Sequence, residues 1–239
     1  KVMAVVKADG YGHGLERVAR ALADSDAFGV AAIADGQRLR AAGFRQRIVV
    51  LSGPDDAADL PEMRRLQLDA VIHHDAQLGW LEADRDPRPL RAWLKIDSGM
   101  HRLGFAPQRA REVHARLVAL PSVQRDIVLM THFAASEEFG GTTTTAQIAC
   151  FEAAVAGLPG ERCLSNSAGV LGWPTARGHW VRPGGILYGL ALGAGQTGAN
   201  LGFRPAMTLT TKLIAVNALA RGDGVGYNAT WRCPEDMPV

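Results

Sequence analysis

The chain has 239 residues, 47% of them hydrophobic, and its 26 basic and 24 acidic side chains leave a net charge of +2. That length can bury one large core, and a near-neutral balance removes the electrostatic case for nucleic-acid binding. Cys150, Cys163 and Cys233 are odd in number and form no CxxC, so neither a disulfide framework nor a zinc site is expected, and no run approaches the ~18 apolar residues of a membrane span.

Apolar, β-rich runs alternate with helix-like ones eight times. Strands are expected over residues 3–7, 28–33, 48–51, 70–73, 92–96, 127–132, 162–166 and 180–186, with amphipathic helices over 15–23, 36–42, 57–66, 107–120 and 146–156. Alternating βα units of this size predict a parallel sheet closed by outer helices, an α/β fold of the (β/α)8 TIM-barrel type. A doubly wound open sheet is the competing architecture, but eight regular units favour closure. The barrel is assigned to residues 1–195. Residues 196–239 read as a linker and the first strands of a further β-type domain, because GLALGAGQTGANLGF is glycine-rich, AMTLTTKLIAVNAL alternates and GDGVGYN supplies turn residues.

Several features carry no chemistry on this reading. Gly193, Gly195 and Gly198 match a dinucleotide fingerprint literally, but ANLGFRP cannot start the helix that the fingerprint requires. His73, His74 and Asp75 lie adjacent on a strand end and point to opposite faces, which suits no metal. Thr142 to Thr145 read as a polar loop, and Arg38, Arg40, Arg45 and Arg47 as a solvated helix face.

The chemistry is expected elsewhere. AVVKADGYGHG, residues 4–14, reads as a strand ending in Lys7, a tight glycine loop and a helix start. Lys7, Lys95, His132, Asn166 and Arg182 all fall at or near the carboxyl ends of expected strands, the end where barrels place their sites. Lys95 and Asp97 share a strand face and by themselves would be a structural ion pair. Ser165, Asn166, Ser167, Gly184 and Gly185 suit a phosphate cradle of hydroxyls, small side chains and approachable backbone N–H groups.

AVVKADGYGHG resembles the lysine motif of the alanine racemases, which usually carry alanine or a similar small residue where this chain has Gly10. WLKIDSGMHRLGF (93–105), MTHFAASEE (130–138), LSNSAG (164–169) and WVRPGGILYG (180–189) resemble further motifs of that family in the same order, over essentially the whole chain. The resemblance implies pyridoxal 5'-phosphate as cofactor, held covalently by Lys7, with Lys7 as the acid and base on one face of the substrate's Cα. It implies that Tyr11, Ser167, Gly184 and Gly185 contact the cofactor phosphate beside Asn166, and that Lys95 is carbamylated and positions Arg102. Arg182 is implied to sit against the pyridine nitrogen, with His132 as its neighbour, orienting the second catalytic base. A guanidinium cannot accept a proton, so that pairing favours racemisation over transamination.

The family also implies a cytoplasmic bacterial homodimer with shared active sites that interconverts L- and D-alanine, supplying D-alanine for peptidoglycan or degrading it. A broad-specificity racemase and a single-domain cofactor-binding barrel without turnover are the alternatives. No metal, nucleic acid or membrane partner is expected. The second base in the family is a tyrosine of the β domain in a GYADG-like motif. That motif is not among these residues, and Tyr227 matches a different family tyrosine. The chain opens on Lys1 rather than methionine. Because nothing in these residues is identifiable as the acid for the other face of Cα, the chain as it stands is expected to be a weak racemase.

Overall fold

Strand segments such as RIVV, LDAVI and AWLK are buried almost throughout, as strands must be when both faces of their sheet are covered. The computed structural model describes residues 1–193 and 195–239. Ala194, inside both the expected linker and the range assigned to the barrel, lies outside the described residues. Seven parallel strands form one sheet in chain order: β1 (Met3–Val5), β2 (Ala27–Val30), β3 (Arg47–Val50), β4 (Leu68–Ile72), β5 (Ala92–Lys95), β6 (Val128–Met130) and β7 (Arg162–Cys163). Helices Leu15–Ala21, Ile33–Ala41, Asp59–Arg65, Asp75–Ala83, Ala110–Ala119, Thr142–Ala154 and Ser167–Gly172 follow them in turn.

Residues 180–183 fill the eighth position and close the ring. Trp180 bridges Cys163 on one side and Val181 bridges Val2 on the other. The amides of Met3 and Val5 donate to Val181 and Pro183 at 2.9 Å, and the Arg182 amide donates to Ser165 at 2.9 Å. The result is a (β/α)8 barrel, as the alternating pattern predicts. A full strand over 180–186 does not form. Pro183 has no N–H to donate, and Gly185–Tyr188 turns into a 3-10 helix.

The period of two along each strand sorts the interior into two layers. Met3, Ala27, Val49, Val71, Trp93, Val128, Met130, Cys163 and Trp180 fill the barrel lumen, with Trp93 and Trp180 edge to face at 5.3 Å. Ala4, Phe28, Val30, Ile48, Val50, Ala70, Ile72 and Leu94, the alternate residues, pack outward against the helices.

Two readings from sequence, of Thr142 to Thr145 and of the clustered arginines, are corrected here. Thr142 to Thr145 are not a loop but the first turn of a helix, where the Thr145 hydroxyl donates to the Gly141 carbonyl at 3.0 Å. His73 and His74 keep the strand-end role expected of them: the His73 ring lies 2.8 Å from the Ser52 carbonyl, and His74 Nδ1 accepts the Ala76 amide as an N-cap. Of the four clustered arginines, only Arg38 meets the description of a solvated helix residue. Arg40 is folded onto backbone carbonyls, and Arg47 opens β3 bound to buried Asp69.

The chain divides into two compact units, Lys1–Ala206 and Met207–Val239. Residues 196–206 belong with the first because they fold back on it, the Ala206 amide donating to Tyr188 at 3.0 Å. The second unit holds two short antiparallel pairs, β8 (Ala218–Leu219) with β11 (Met237–Pro238) and β9 (Gly224–Val225) with β10 (Trp231–Arg232). The alternating stretch before Ala218 forms no ladder, since this unit offers its apolar side no partner strand. Leu209, Leu213 and Ile214 are exposed there.

Candidate active site

Strand parity delivers the chemistry to the lumen. Lys7 continues the inward row Met3 and Val5, Lys95 that of Trp93, His132 that of Val128 and Met130, and Arg182 that of Trp180. At the carboxyl ends of the strands these four line one cavity of about 430 Å³ together with Tyr11, Arg102, Asn166, Ser167, Gly184 and Gly185. Ser165, also expected in the phosphate cradle, does not join them: it is fully buried and its hydroxyl donates to the Ala176 carbonyl at 2.6 Å, so it braces the turn behind the wall.

The Lys7 loop is an unusual backbone. Ala8, Asp9, Gly10 and Tyr11 all have φ between 52° and 63°, a left-handed turn that disfavours side chains. Asp9 anchors it by accepting the Leu15 amide at 3.1 Å and Arg38 at 3.2 Å. A Cβ at Gly10 would meet Val18 at 2.8 Å, so both the turn and the helix behind it demand glycine.

Arg182 is buried and donates to the carbonyls of Thr131 (2.7 Å), Cys163 (2.8 Å) and Leu164 (3.0 Å) and to the Cys163 thiol (3.0 Å). Its Nη2 also lies 3.2 Å from His132 Nδ1. Burial, then repulsion from Arg182, Lys95 and Arg102, pushes the His132 pKa down to about 2, so the ring is neutral. Its Nδ1 accepts from Arg182, which leaves the proton on Nε2.

Lys95 is not paired with Asp97. The carboxylate of Asp97 faces the exit turn, accepting the amides of Gly99, Met100 and His101 at 3.0 Å each. The strand ends at Lys95, so the alternation that would have aligned the pair does not extend to Asp97. Among the described residues Lys95 has no ion-pair partner, and burial, with Arg182 and Arg102 nearby, pushes its amine down to about 7. Lys7, Lys95, Arg102 and Arg182 thus form a cationic cluster without a carboxylate.

On the opposite wall, Ser167 Oγ accepts the Gly184 amide at 2.8 Å and Asn166 Oδ1 accepts the Gly169 amide at 2.9 Å. A Cβ on Gly184 would stand 2.6 Å from the Tyr11 hydroxyl, so the glycine keeps this wall open. Tyr188 was not singled out from sequence, although it lies within the motif WVRPGGILYG. It is buried and supports the Lys7 loop, its ring 4.9 Å from Tyr11 and stacked on His13 at 4.7 Å. Cys163, the sulfur beneath Arg182, was also missed, because it reads as an ordinary core residue.

Fold and site together define a (β/α)8 barrel whose carboxyl end gathers basic side chains, without a carboxylate among the described lining residues, around a small-molecule-sized cavity. A family model described as alanine racemase, N-terminal domain, matches residues 1–192. The alanine racemase of Shewanella baltica (strain OS185) is 48% identical over 236 residues, covering 99% of this chain and 66% of that protein. The biosynthetic alanine racemase of Pseudomonas aeruginosa superimposes with a TM-score of 0.95 at 40% identity, covering 100% of this chain and 66% of that one. The Acinetobacter baumannii alanine racemase does so with 0.90 at 32% identity, covering 100% and 67%. The chain belongs to the alanine racemase N-terminal domain family. It spans just under two thirds of the length of the curated relatives it matches.

Proposed function

We propose that the carboxyl-end cavity binds pyridoxal 5'-phosphate and that the protein interconverts L- and D-alanine. The observation that carries this reading is the meeting of Lys7, the open Gly184 wall and carboxylate-free Arg182 in one cavity. The residues fit the cofactor. Tyr11, the Ser167 hydroxyl and the backbone at Gly184 and Gly185 would hold its phosphate beside Asn166, and Lys7 would hold it through its amine. When bound, the group supplies a sink for the negative charge left when Cα loses its proton.

Lys7 then takes a proton from, and returns it to, one face of Cα as general base and acid. Arg182, clamped by carbonyls, would face the ring nitrogen as a donor that cannot accept a proton, which favours prompt return of the proton to Cα. Neutral His132 holds Arg182 and has an N–H left to orient a further group. The free amine of Lys95 would add carbon dioxide, forming an N–C bond and releasing a proton to water. The resulting carbamate would neutralise part of the cluster and position Arg102 toward the substrate carboxylate. The second base, on the other Cα face, would come from the β domain of a partner subunit in a homodimer. The second unit, Met207–Val239, would be the opening of that domain. A cytoplasmic setting and a D-alanine supply for peptidoglycan complete the reading, and the three free cysteines support a reducing compartment.

Two measurements test it. Borohydride reduction in the presence of pyridoxal phosphate, followed by peptide mapping, is expected to label Lys7; a label on Lys95, or none, overturns the assignment. In D2O, the Cα proton of one alanine enantiomer is expected to exchange faster than that of the other. Equal exchange of both, or none, removes Lys7 as the one-face base.

A further inference from the structure

At the amino ends of β3, β4 and β5, the end of the barrel opposite the candidate active site, lies a second cavity of about 470 Å³. Arg40, Arg45, Arg47, Arg64, Arg88 and Arg91 line it. Four of these have carboxylate partners. Arg47 and Arg91 reach Asp69 at 2.8 and 3.4 Å, Arg64 pairs with Asp84, and Arg88 reaches Asp86 at 2.6 Å. Asp126 also stands 3.9 Å from Arg91.

Arg40 and Arg45 have no carboxylate partner among the described residues. Arg40 is held by the carbonyls of Phe44, Gln46, Leu66 and Gln67, which fix its position without cancelling its charge. Six guanidinium groups against Asp69, Asp84, Asp86 and Asp126 leave a surplus of two positive charges.

Two buried donors are also unused. Arg64 is 8% exposed, and its Nη1 has no acceptor although its side chain lines the cavity; Arg91 Nε is likewise unpartnered. A buried guanidinium N–H without an acceptor is costly, and natural structures usually supply one. A ligand that brings acceptor oxygens and about two negative charges would match both the free donors and the surplus charge.

We propose that this cavity binds a phosphate dianion carried on a small organic molecule. Guanidinium forks match phosphate oxygens in geometry and charge. The volume lies in the range of small-molecule sites, larger than a bare phosphate fills. Nothing in the reaction proposed above uses this end of the barrel, and the site stands independently of it.

Calorimetric titration in a phosphate-free buffer tests the assignment, with phenyl phosphate and inorganic phosphate as probes. Gly184→Val blocks the opposite wall, and Arg45→Glu reverses an exposed charge with no structural partner. Phenyl phosphate is expected to bind saturably and more tightly than inorganic phosphate, to survive Gly184→Val and to weaken at least about tenfold in Arg45→Glu. Arg91→Gln, which keeps the side chain polar, is expected to weaken it less. Equal binding of the two probes would overturn the organic half of the proposal. Binding that Gly184→Val abolishes and Arg45→Glu leaves intact would assign the ligand to the other end. Heat signals that sodium chloride removes equally in every variant would mean ionic screening alone and would end the proposal.

Discussion

At the carboxyl end of the barrel Lys7, Lys95, Arg102 and Arg182 converge with no carboxylate among them, whereas at the amino end Arg47, Arg64, Arg88 and Arg91 each meet one. Both ends are built on the same strands and the same alternation. The carboxylates of the amino end sit at strand starts or in the turns before them. Asp69 is the second residue of β4, where it binds Arg47, Arg91 and the Trp93 indole at 2.9 Å. Charge there is largely neutralised in place and ties neighbouring strands together. At the carboxyl end the same cost is met differently: Arg182 is solvated by three backbone carbonyls, and Lys95 is driven toward its neutral form. Matched pairs favour stability, whereas unmatched guanidinium and amine groups, the whole cluster at the carboxyl end but only Arg40 and Arg45 at the amino end, leave a positive field open to a ligand.

That contrast is open to direct tests. Lys7→Ala is expected to cut Cα-proton exchange of alanine by about 10³-fold or more without lowering the melting temperature, because it removes the base and no structural contact. Exchange at the parent rate, followed by NMR in D2O, would break the comparison at its functional end. Asp69→Asn is expected to do the reverse. It should destabilise the fold by about 3 kcal/mol in urea denaturation, since two arginines lose their counter-charge, and leave cofactor affinity unchanged.

Lys95→Met sharpens the difference through pH. The native amine titrates near 7 instead of 10.5. Between those values the unfolded chain binds the proton the native one has lost, so stability rises with pH across that window. In carbonate-free buffer the variant is expected to be more stable than the parent at pH 7, a gap that narrows as the pH rises toward 10.5 and closes above it. A parent stability that stays flat over this range would contradict the burial of a free amine.

Gly184→Ala pushes a methyl to within 2.6 Å of the Tyr11 hydroxyl. It is expected to weaken pyridoxal phosphate binding about tenfold, equivalent to about 1.4 kcal/mol, with little change in unfolding midpoint. Arg88→Ala, which removes an exposed ion pair, is expected to shift stability by no more than about 0.5 kcal/mol. A larger shift would mean that the amino-end pairs act as one network.

Much of this was legible in the sequence, because barrel chemistry follows a local rule. Alternating βα units announce the fold, and a period of two sends every second residue inward. Lys7, Lys95, His132 and Arg182 could thus be assigned to strand ends before any contact was known, and motif resemblance marked the Tyr11, Ser167 and Gly184 wall. What the pattern could not supply was partnership. Lys95 and Asp97 sit two apart and look paired, yet the strand stops between them and Asp97 turns to cap a loop. Thr142 to Thr145 look like a loop because threonine is a poor helix former, yet a hydroxyl bond to Gly141 and packing of the helix behind it decide otherwise. The arginines near residues 40–47 look solvated by composition, and only the convergence of three strand starts makes them walls of a cavity. Alternation and turn chemistry are properties of neighbouring residues, so the sequence alone determined the barrel and which side chains face its lumen. Which of the buried charges are matched depends on residues 20 or more positions apart, such as Arg47 with Asp69 or Arg64 with Asp84, and only the tertiary structure decided it.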